Sequence, residues 1–554
     1  MTNERTTITP IRHQPPLPDS LILTEAPQEE HVPMDVVFVG GGPAGLAGAI
    51  ELARLVREGN ERGDGPGEIE IAVLEKAESL GEHCLSGAIV NPRAFRELFP
   101  DLDVKDLPFR GPVDREAVRL LTERGSFRIP TPPTMKNHGN HVASICEVVR
   151  WLGEKAEAAG VNVFTGFPAA ALLVDGERVA GVRTAPSGLD RSGQPGVAHE
   201  PATDIVARVT ALAEGTRGML SQAYMGWQKI ESENPQIFAL GVKEIWETKK
   251  PLDRIIHTLG WPLPNDVFGG SFMYPMAEHT VAVGLVVGLD YPQRSLDVHG
   301  LLQKLKTHPL FRDYLDGGDM VEWGAKTIPE GGYYALPSRR HGDGVVILGD
   351  SAGFVDVPSL KGIHYAMQSG IHAARAIYDG LKAGDTTAAA LSAYDRAMDA
   401  SYVIDDLKKT RNMRLAFRDG FLAGGIKAGL MTLTGGAFPG GRIEFEADAD
   451  KPREPGGPAT PAPDGRLTFS KVDAVFKSGN QTRDDIPSHL IVGRDVPAEV
   501  AEFYQHVCPA GVYERDGDRL VVNAPNCIDC KATDVVGPRW TPREGGSGPR
   551  YRMM

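Results

Sequence analysis

Apolar and polar positions alternate along the chain in blocks that predict strands and helices in turn. Residues 35–39 form a short apolar run with the composition of a buried strand. A glycine-rich turn follows, and then a helical stretch over residues 46–53. A second apolar run, residues 69–74, ends in Glu75. Strand, turn, helix and strand in this order predict an α/β domain with a parallel sheet.

Two more predicted strands end in acidic residues. Residues 209–213 are apolar and precede Glu214, and residues 345–348 precede Gly349 and Asp350. A helix with one buried face is predicted just downstream. Its apolar or small positions recur at helical spacing: Ile363, Met367, Gly370, Ile371, Ala374, Ile377 and Leu381.

Polar, proline-rich segments predict the boundaries between these blocks. Residues 1–33 predict a flexible N-terminal arm, and residues 450–465 predict a linker before a separate C-terminal unit. Residues 58–67 predict a loop inserted after the first helix. Residues 186–201 predict a long hairpin loop.

Composition narrows the function classes. The 554 residues carry 59 Lys and Arg against 73 Asp and Glu, a formal net charge of −14. That balance argues against nucleic acid as a partner. No secretory signal is recognised at the N-terminus, and no run of about 18 apolar residues predicts a membrane-spanning helix. Any membrane contact is therefore expected to be interfacial.

The turn after the first strand has a pattern that suits a dinucleotide. Its glycines stand at the positions of GxGxxG: Gly40, Gly42 and Gly45. The first allows a tight turn, the second lets the backbone approach a pyrophosphate, and the third lets the helix pack closely on the strand. Glu75 is placed to accept hydrogen bonds from the adenosine ribose. A glycine-rich turn without a ligand is the alternative, and the ordered context disfavours it.

The five cysteines are distributed unevenly. Cys508, Cys527 and Cys530 lie together in the C-terminal tail, which favours a metal over disulfides. Cys84 and Cys146 are isolated and read as inert core residues.

The three strand-end segments together resemble the fingerprints of the glutathione-reductase-type FAD proteins, especially the hydroxylase-like branch. The resemblance implies that Asp350 binds the ribityl chain of the flavin. It also implies that the helix beginning at Gly362 and Ile363 points its positive end at the flavin pyrimidine edge. His364 is interpreted as an ordinary polar residue at the helix start. For Asp350, capping of the next element is the alternative.

The chain resembles the electron-transfer-flavoprotein:quinone oxidoreductase family more closely still. Short phrases carry the resemblance, in the family's order: residues 85–88, 137–140, 150–154, 260–263, 269–272, 286–291, 357–358 with 361–362, and 508–514. The resemblance implies electron transfer from reduced electron-transfer flavoprotein, through FAD and an iron–sulfur cluster, to ubiquinone or menaquinone. It also implies that Gly269 and Gly270 lie in the quinone pocket. From the residues alone, these glycines read as a bulge or bend.

The same resemblance implies the fold: a glutathione-reductase-type FAD-binding domain, an inserted mixed β-sheet quinone domain and a C-terminal ferredoxin-like iron–sulfur domain. The expected parts are an arm (1–33), the FAD-binding domain (34–90, 140–218 and 335–385), the quinone-binding domain (91–139 and 219–334), a helical membrane-contact region (386–449), a linker (450–465) and the iron–sulfur domain (466–554).

The tail departs from the family at one ligand position. The family pattern is a distant cysteine followed by C-x-x-C-x-x-C, which holds a [4Fe–4S] cluster. Cys508, Cys527 and Cys530 match, and the fourth position is Thr533. Several outcomes stay open: a [4Fe–4S] cluster completed by Thr533, hydroxide or Asp534; a [3Fe–4S] cluster; zinc; or an empty tail.

Residues 417–433 are apolar with interspersed charge. The resemblance implies that this region dips into one leaflet, with Arg414, Arg418 and Lys427 near the headgroups, on the cytoplasmic face of a bacterial inner membrane or its mitochondrial equivalent. A helix packed on the protein core is the alternative.

Two other functions are weighed. One is a different FAD-dependent reductase or hydroxylase of the same fold with a non-functional tail, which would oxidise NADPH. The other is an FAD-holding scaffold without turnover.

Overall fold

The computed structural model describes residues 7–517 and 519–554, which combine helices with several sheets. The helices of this part of the chain are α1 (Pro43–Arg62), α2 (Arg93–Leu98), α3 (Ile145–Ala158), α4 (Met219–Trp227), α5 (Val298–Lys306), α6 (Pro309–Leu315), α7 (Ile363–Ala383), α8 (Ala388–Asp399), α9 (Tyr402–Thr410), α10 (Phe421–Leu433), α11 (Lys471–Lys477), α12 (Ala498–Val507) and α13 (Ala532–Val536).

The first sheet contains the strands predicted from the apolar runs. Its linear order is Ile22–Leu23, Ala169–Asp175, Arg178–Thr184, Asp204–Leu212, His31–Val39, Ile71–Glu75 and Asn162–Thr165, and Val345–Ile347 with His341–Gly342 joins at Asp204–Leu212. The strands around His31–Val39 are parallel. Their carboxyl ends therefore meet at one edge, which is where ligands bind in open α/β sheets.

Helices α1 and α7 pack against each other at close range. A Cβ on Gly370 would lie 2.2 Å from the Ala44 carbonyl oxygen, so glycine permits the contact. The loop predicted for residues 58–67 is wrong in its first half. Helix α1 continues to Arg62, and Gly63 ends it in a left-handed conformation with φ +76°. The helix continues through this segment although it contains Gly59 and Asn60, because Glu58, Glu61 and Arg62 are good helix formers.

The second sheet is formed by strands from two separate parts of the chain. Its order is Asp319–Pro329, Phe238–Glu247, Thr280–Gly288, Gly269–Ala277, Ile255–Gly260, Glu116–Leu121 and Ser126–Ile129. Ile255–Gly260 and Glu116–Leu121 are parallel and the other pairs are antiparallel, so the sheet is mixed. This confirms the expected α/β architecture with an inserted mixed sheet.

The C-terminal unit consists of short elements around α11, α12 and α13. Two small antiparallel pairs support the helices: Leu490–Ile491 with Arg539–Trp540, and Tyr513–Asp516 with Arg519–Val522. The hairpin predicted over residues 186–201 is confirmed as Ser187–Leu189 paired with Pro195–Glu200.

Two segments predicted from composition to be loose are packed on the body instead. In the N-terminal arm, Ile22–Leu23 adds a strand to the first sheet, and Ile8 pairs with Arg453; residues 1–6 lie outside the described part. In the 450–465 linker, Arg453 is fully buried and donates to the Leu289 and Asp448 carbonyls. Proline and glycine fix the turns of these segments but leave their interior contacts undetermined.

Candidate functional site

The glycine-rich turn lies at the carboxyl edge of the first sheet. Gly40 has φ +116°, and a Cβ there would lie 2.3 Å from the Ala213 carbonyl oxygen. A Cβ on Gly45 would lie 2.1 Å from the Gly40 carbonyl oxygen. At Gly42, the N-cap of α1, a Cβ would meet nothing within 4 Å. The turn thus needs Gly40 and Gly45 for its own packing and leaves open space at Gly42.

A large central cavity opens above this turn, between the first and second sheets. Its lining includes most of the residues singled out from the sequence: Gly40, Gly42, Glu75, Glu214, Asp350, Gly362 and Ile363. Gly45 is buried beneath, against the turn. Residues separated by more than three hundred positions are thereby brought to one space.

Glu75 lies at the sheet edge and already organises the turn. Its Oε2 accepts a hydrogen bond from the Gly41 amide at 3.0 Å, and its Oε1 accepts one from the Ala77 amide at 2.9 Å. Each carboxylate oxygen keeps a second lone pair for a ligand hydroxyl. The Glu214 carboxylate instead caps α4, accepting from Leu220 and Ser221.

Asp350 also lines the cavity. Burial raises its pKa to about 6. The Thr216 hydroxyl, which donates to Asp350 Oδ2 at 3.4 Å, opposes this rise by stabilising the ionised form. A carboxylate that receives so few hydrogen bonds from the protein is suited to accept hydrogen bonds from the hydroxyl groups of a ligand. The N-terminus of α7 begins next to it at Gly362, and its free amides give that end of the helix positive character.

Five lysines, for which the sequence predicts no role, also line the central cavity: Lys76, Lys243, Lys326, Lys361 and Lys531. Burial lowers the pKa of Lys243, Lys361 and Lys531 to about 8, so each stays largely protonated at neutral pH. The cavity is therefore suited to an anionic ligand, although the whole chain is acidic. Since they come from five separate segments, no spacing pattern in the sequence could have grouped them.

Gly269 and Gly270 begin a regular strand of the second sheet, paired with Val287 and Val286. A Cβ on Gly269 would lie 2.3 Å from the Val286 carbonyl oxygen. The central cavity is lined by Val286 and, further along the glycines' own strand, by Phe272 and Tyr274, not by the glycines themselves. The glycines thus lie next to the cavity wall, and Gly270 is paired directly with the lining residue Val286.

The three tail cysteines are buried together. Cys508 caps the end of α12, and Cys527 and Cys530 flank a tight turn before α13. Burial raises the pKa of all three thiols, that of Cys527 to about 12, and the Cys508 charge adds to the rise at both partners. All three thiols are buried, and those of Cys527 and Cys530 belong to one loop. Thr533, in α13, is also buried.

The cysteine loop forms part of the wall of the central cavity. The Thr327 amide donates to the Cys530 carbonyl at 3.0 Å, and Lys326 Nζ donates to the Asp529 carbonyl at 3.1 Å. Lys531 and Trp540 of the tail line the cavity directly. The cysteine loop and the central cavity are thus adjacent.

Asp529 anchors this loop to the body. Although burial alone would raise its pKa, Arg543 and Lys76 hold that pKa well below its usual range. Its carboxylate accepts from Lys76 Nζ at 2.5 Å, Arg543 at 3.0 Å and Trp540 Nε1 at 2.9 Å.

Among the described residues, the histidine, cysteine and acidic side chains that approach closely enough to hold one metal ion are His489, Cys527 and Asp529, with ligand atoms within 4.8 Å of one another. Since the Asp529 carboxylate is already held by three donors, we interpret it as an anchor, not a ligand.

Helix α10 presents an apolar face to the outside. Leu422, Ile426, Leu430 and Leu433 are 70%, 70%, 45% and 84% exposed. Their spacing places them on one side of the helix. Among the described residues, no helix is both long enough and apolar enough to cross a bilayer.

The basic residues expected near this face divide into two groups. Lys427 and Arg418 are partly exposed and contact Asp419. Arg414 is buried and pairs with Glu330 at 2.6 Å and Asp290 at 2.8 Å, so its expected place near headgroups is wrong. A guanidinium with two buried carboxylates within reach stays inside the protein.

Comparison with known proteins gives the family. The model of the ETF-QO ubiquinone-binding family matches residues 238–328, and that of the electron transfer flavoprotein-ubiquinone oxidoreductase 4Fe-4S family matches residues 465–552. The mitochondrial electron transfer flavoprotein-ubiquinone oxidoreductase of Oryza sativa subsp. japonica is 38% identical over 95% of this chain and 94% of its own length. The Homo sapiens protein of that name is 36% identical over 94% of this chain and 89% of its own length.

The chain belongs to the electron transfer flavoprotein-ubiquinone oxidoreductase family. A solved structure described as geranylgeranyl bacteriochlorophyll reductase-like, from Thermoplasma acidophilum, has a TM-score of 0.57 and 17% identity over 74% of this chain and 97% of its own. That likeness concerns the fold alone.

The central cavity fits the FAD of this family. It combines open space at Gly42, hydroxyl acceptors at Glu75 and Asp350, and a positive helix end at Gly362. These chemistries match a pyrophosphate, a ribose with a ribityl chain, and an electron-rich ring.

The cysteine site fits an iron–sulfur cluster at three of four corners. Three buried thiols are soft ligands that favour iron–sulfur clusters, and metal binding would deprotonate them despite their raised pKa values. Asp534 is unsuited to the fourth corner, because its carboxylate accepts from Arg217 at 2.9 Å and the Trp540 amide at 3.2 Å. The chain's own candidate there is the Thr533 hydroxyl.

Proposed function

We propose that this protein accepts electrons from reduced electron-transfer flavoprotein and passes them through FAD and an iron–sulfur cluster to a quinone at a membrane surface. The observation that carries the proposal is the contact between the cysteine loop and the cavity: Cys530 is hydrogen-bonded to a strand of the cavity wall. Two redox centres held there would be close neighbours. Family membership supports the partners.

When bound, FAD would supply two-electron chemistry and the cluster one-electron transfer. The chain's own residues bind and orient. We infer that the turn shaped by Gly40 and Gly45 receives the pyrophosphate at Gly42. Glu75 would bind the adenosine ribose and Asp350 the ribityl chain. Gly362 and Ile363, at the start of α7, place amides near the flavin ring, where a positive helix end favours negative charge. Cys508, Cys527 and Cys530 would hold the cluster.

The quinone would reach the cavity from the second sheet. We propose that its ring lies in the central cavity against Val286, at the strand pair that contains Gly269 and Gly270. Helix α10 supports the route from the membrane. The helix begins near the second sheet: the amide of its first residue, Phe421, donates to the carbonyl of Asn265, which is four residues before Gly269.

We further propose that the exposed face of α10 dips into one leaflet, with Lys427 and Arg418 near the headgroups, as in a monotopic protein. The location would be the cytoplasmic face of a bacterial inner membrane or the mitochondrial equivalent.

The test is anaerobic mixing of the FAD-loaded, iron-containing protein with reduced electron-transfer flavoprotein and a short-chain ubiquinone. Flavin absorbance should bleach on mixing with the carrier and recover on addition of quinone, with quinol formed. Oxidation of NADPH without quinol formation would instead support another FAD-dependent reductase or hydroxylase. Bleaching without recovery would support a scaffold without turnover.

A further inference from the structure

A second cavity, of about 360 Å³, lies beside the central cavity. We call it the side cavity; its polar lining includes Asn140, Asp356, Ser359, His364, Tyr365 and Asp406. Water occupies about 30 Å³ per molecule, so the side cavity has room for a chain of ordered waters. The proposed function leaves this space without a role.

Lys361 is shared by the two cavities. It lines both of them. Its Nζ donates to Asn137 Oδ1 at 2.9 Å and to the Ser359 carbonyl at 3.2 Å, which fixes the ammonium at the boundary. Its position, next to Gly362 at the start of α7, places it at the end of the central cavity where the reactive rings are expected.

Asp356 lies directly behind Lys361. The two residues exchange backbone hydrogen bonds, at 2.9 Å and 3.1 Å. The Asp356 side chain is 2% exposed and accepts from Ser359 through Oδ2, while its Oδ1 has no hydrogen-bond partner among the described residues. The Nδ1 atom of His364 is likewise buried without a partner there. Unsatisfied buried polar atoms beside a polar cavity indicate ordered water.

The side cavity reaches the outside on the α10 side of the molecule. Its outer lining includes Asp406, Lys409 and Thr432, the last in α10 itself. Asp406 is 35% exposed and accepts from Lys409 at 3.0 Å and from the Tyr365 hydroxyl at 3.3 Å. Polar groups therefore run from the surface to Lys361.

The proposed reaction requires such a route. Reduction of a quinone to a quinol consumes two electrons and two protons: both carbonyl oxygens gain an O–H bond. The carrier supplies the electrons, whereas the protons come from solvent. On the side of the quinone sheet, the central cavity is lined by Val242, Phe272 and Val286, which cannot carry protons. The titratable groups of that sheet in the cavity wall, Lys243, Tyr274 and Lys326, do not line the side cavity.

We propose that the side cavity is the proton entry route, in which Asp356 and Lys361 relay protons from water to the reduced quinone in the central cavity. This inference rests on the proposed function. Asp356 acts through Lys361, so it is a positioning and relay residue, whereas Lys361 faces the substrate space.

The charged surroundings suit a relay near neutral pH. Burial raises the pKa of Asp356 to about 6, and the charge of Asp406 adds to this rise. The Ser359 and Thr410 hydroxyls and the charge of Lys361 lower that pKa. Burial lowers the pKa of Lys361 to about 8, opposed by Asp356 and Glu116. Of the neighbouring imidazoles, His257 and His364 have pKa values lowered to about 3 by burial and stay neutral. The two relay groups thus titrate on either side of neutrality.

The test compares Asp356→Asn with wild type in the full-length, cofactor-loaded protein. Quinone reduction by reduced carrier should fall at least tenfold, and formate or azide, small acids that can replace a lost carboxyl, should restore part of the rate. Reduction of ferricyanide, a one-electron acceptor that takes up no proton, should stay within twofold of wild type. That second rate also reports that the variant is folded and loaded. Asp316→Asn, a change at an exposed acid on another surface, is the matched control and should alter neither rate.

An unchanged quinone rate in Asp356→Asn would overturn the inference while leaving the proposed function intact. Equal losses with quinone and with ferricyanide would also overturn it, because Asp356 would then act on electron transfer or cofactor loading. Failure of wild type itself to reduce quinone would remove the proposed function, and this inference with it.

Discussion

At the scale of single residues, the glycine turn shows which predictions a sequence supports. The roles expected of Gly40, Gly42 and Gly45 each match a local measurement: a left-handed φ, open space and a close backbone contact. These positions are predictable because the constraint is local. The lysines of the central cavity are not, because only the tertiary fold assembles them.

Two glycines of the turn should respond differently to the same change. Gly42→Ala should leave thermal unfolding of the apoprotein unchanged and weaken FAD binding by about tenfold, roughly 1.4 kcal/mol, since the new methyl group enters ligand space. Gly45→Ala should destabilise the fold by about 1–3 kcal/mol, because its Cβ would overlap the Gly40 carbonyl. Fluorescence titration and thermal unfolding separate the two effects; equal behaviour of both variants would contradict the assignment.

Thr533 decides the type of cluster. Thr533→Cys should complete the family's ligand set and give a reduced [4Fe–4S] EPR signal with about four irons per chain. If the native site holds three irons, wild type should show a [3Fe–4S] signal before reduction and lose it in the variant. Thr541→Cys, at a partly buried threonine of the same tail, is the control. Identical spectra for Thr533→Cys and wild type would show that the native site is already complete.

Asp350 predicts a pH dependence of cofactor binding. Its folded-state pKa is raised to about 6 by burial, so the stability that its protonated form gives the apoprotein is complete at low pH and is lost as pH rises through about 6. Ligand hydroxyls favour the ionised form, so FAD affinity should rise with pH up to about 6, by at most tenfold per unit. Binding to Asp350→Asn should be weaker above that pH and nearly flat across it. Parallel pH profiles for both proteins would exclude this role.

At the scale of elements, the strands and helices around the cavity followed from periodicity, whereas the loose segments did not. The strand ends with acidic residues were placed correctly because buried parallel strands are nearly all apolar. The prolines and glycines of residues 450–465 predict a linker, but no local pattern there predicts that Arg453 is fully buried. Burial depends on partners elsewhere in the chain, here Leu289 and Asp448.

Helix α10 should carry membrane binding. The double change Leu422→Asp and Ile426→Asp should lower binding to anionic liposomes more than tenfold, because each buried aliphatic side chain contributes about 1.5–3 kcal/mol. Soluble turnover with ferricyanide should not change. Phe476→Asp, at an 83% exposed site on α11, is the matched control. Equal liposome binding by all three proteins would place the membrane contact elsewhere.

At the scale of the whole molecule, the C-terminal unit and the two sheets form one assembly joined at Asp529. Asp529→Ala should lower the free energy of unfolding by about 3–5 kcal/mol, because it leaves the buried Arg543 and the partly exposed Lys76 without their carboxylate. FAD and iron should be lost together, as measured by absorbance and iron content. Asp473→Ala, at an exposed carboxylate of the same unit, is the comparison. Loss of iron with normal FAD content would show that the two sites are independent.

The walls of the central cavity come from residues as far apart as Val39 and Pro542. A growing chain emerging from the ribosome therefore has no complete FAD pocket until the C-terminal unit has been made and has docked. Binding of FAD is therefore expected to be a late step in the biogenesis of the protein.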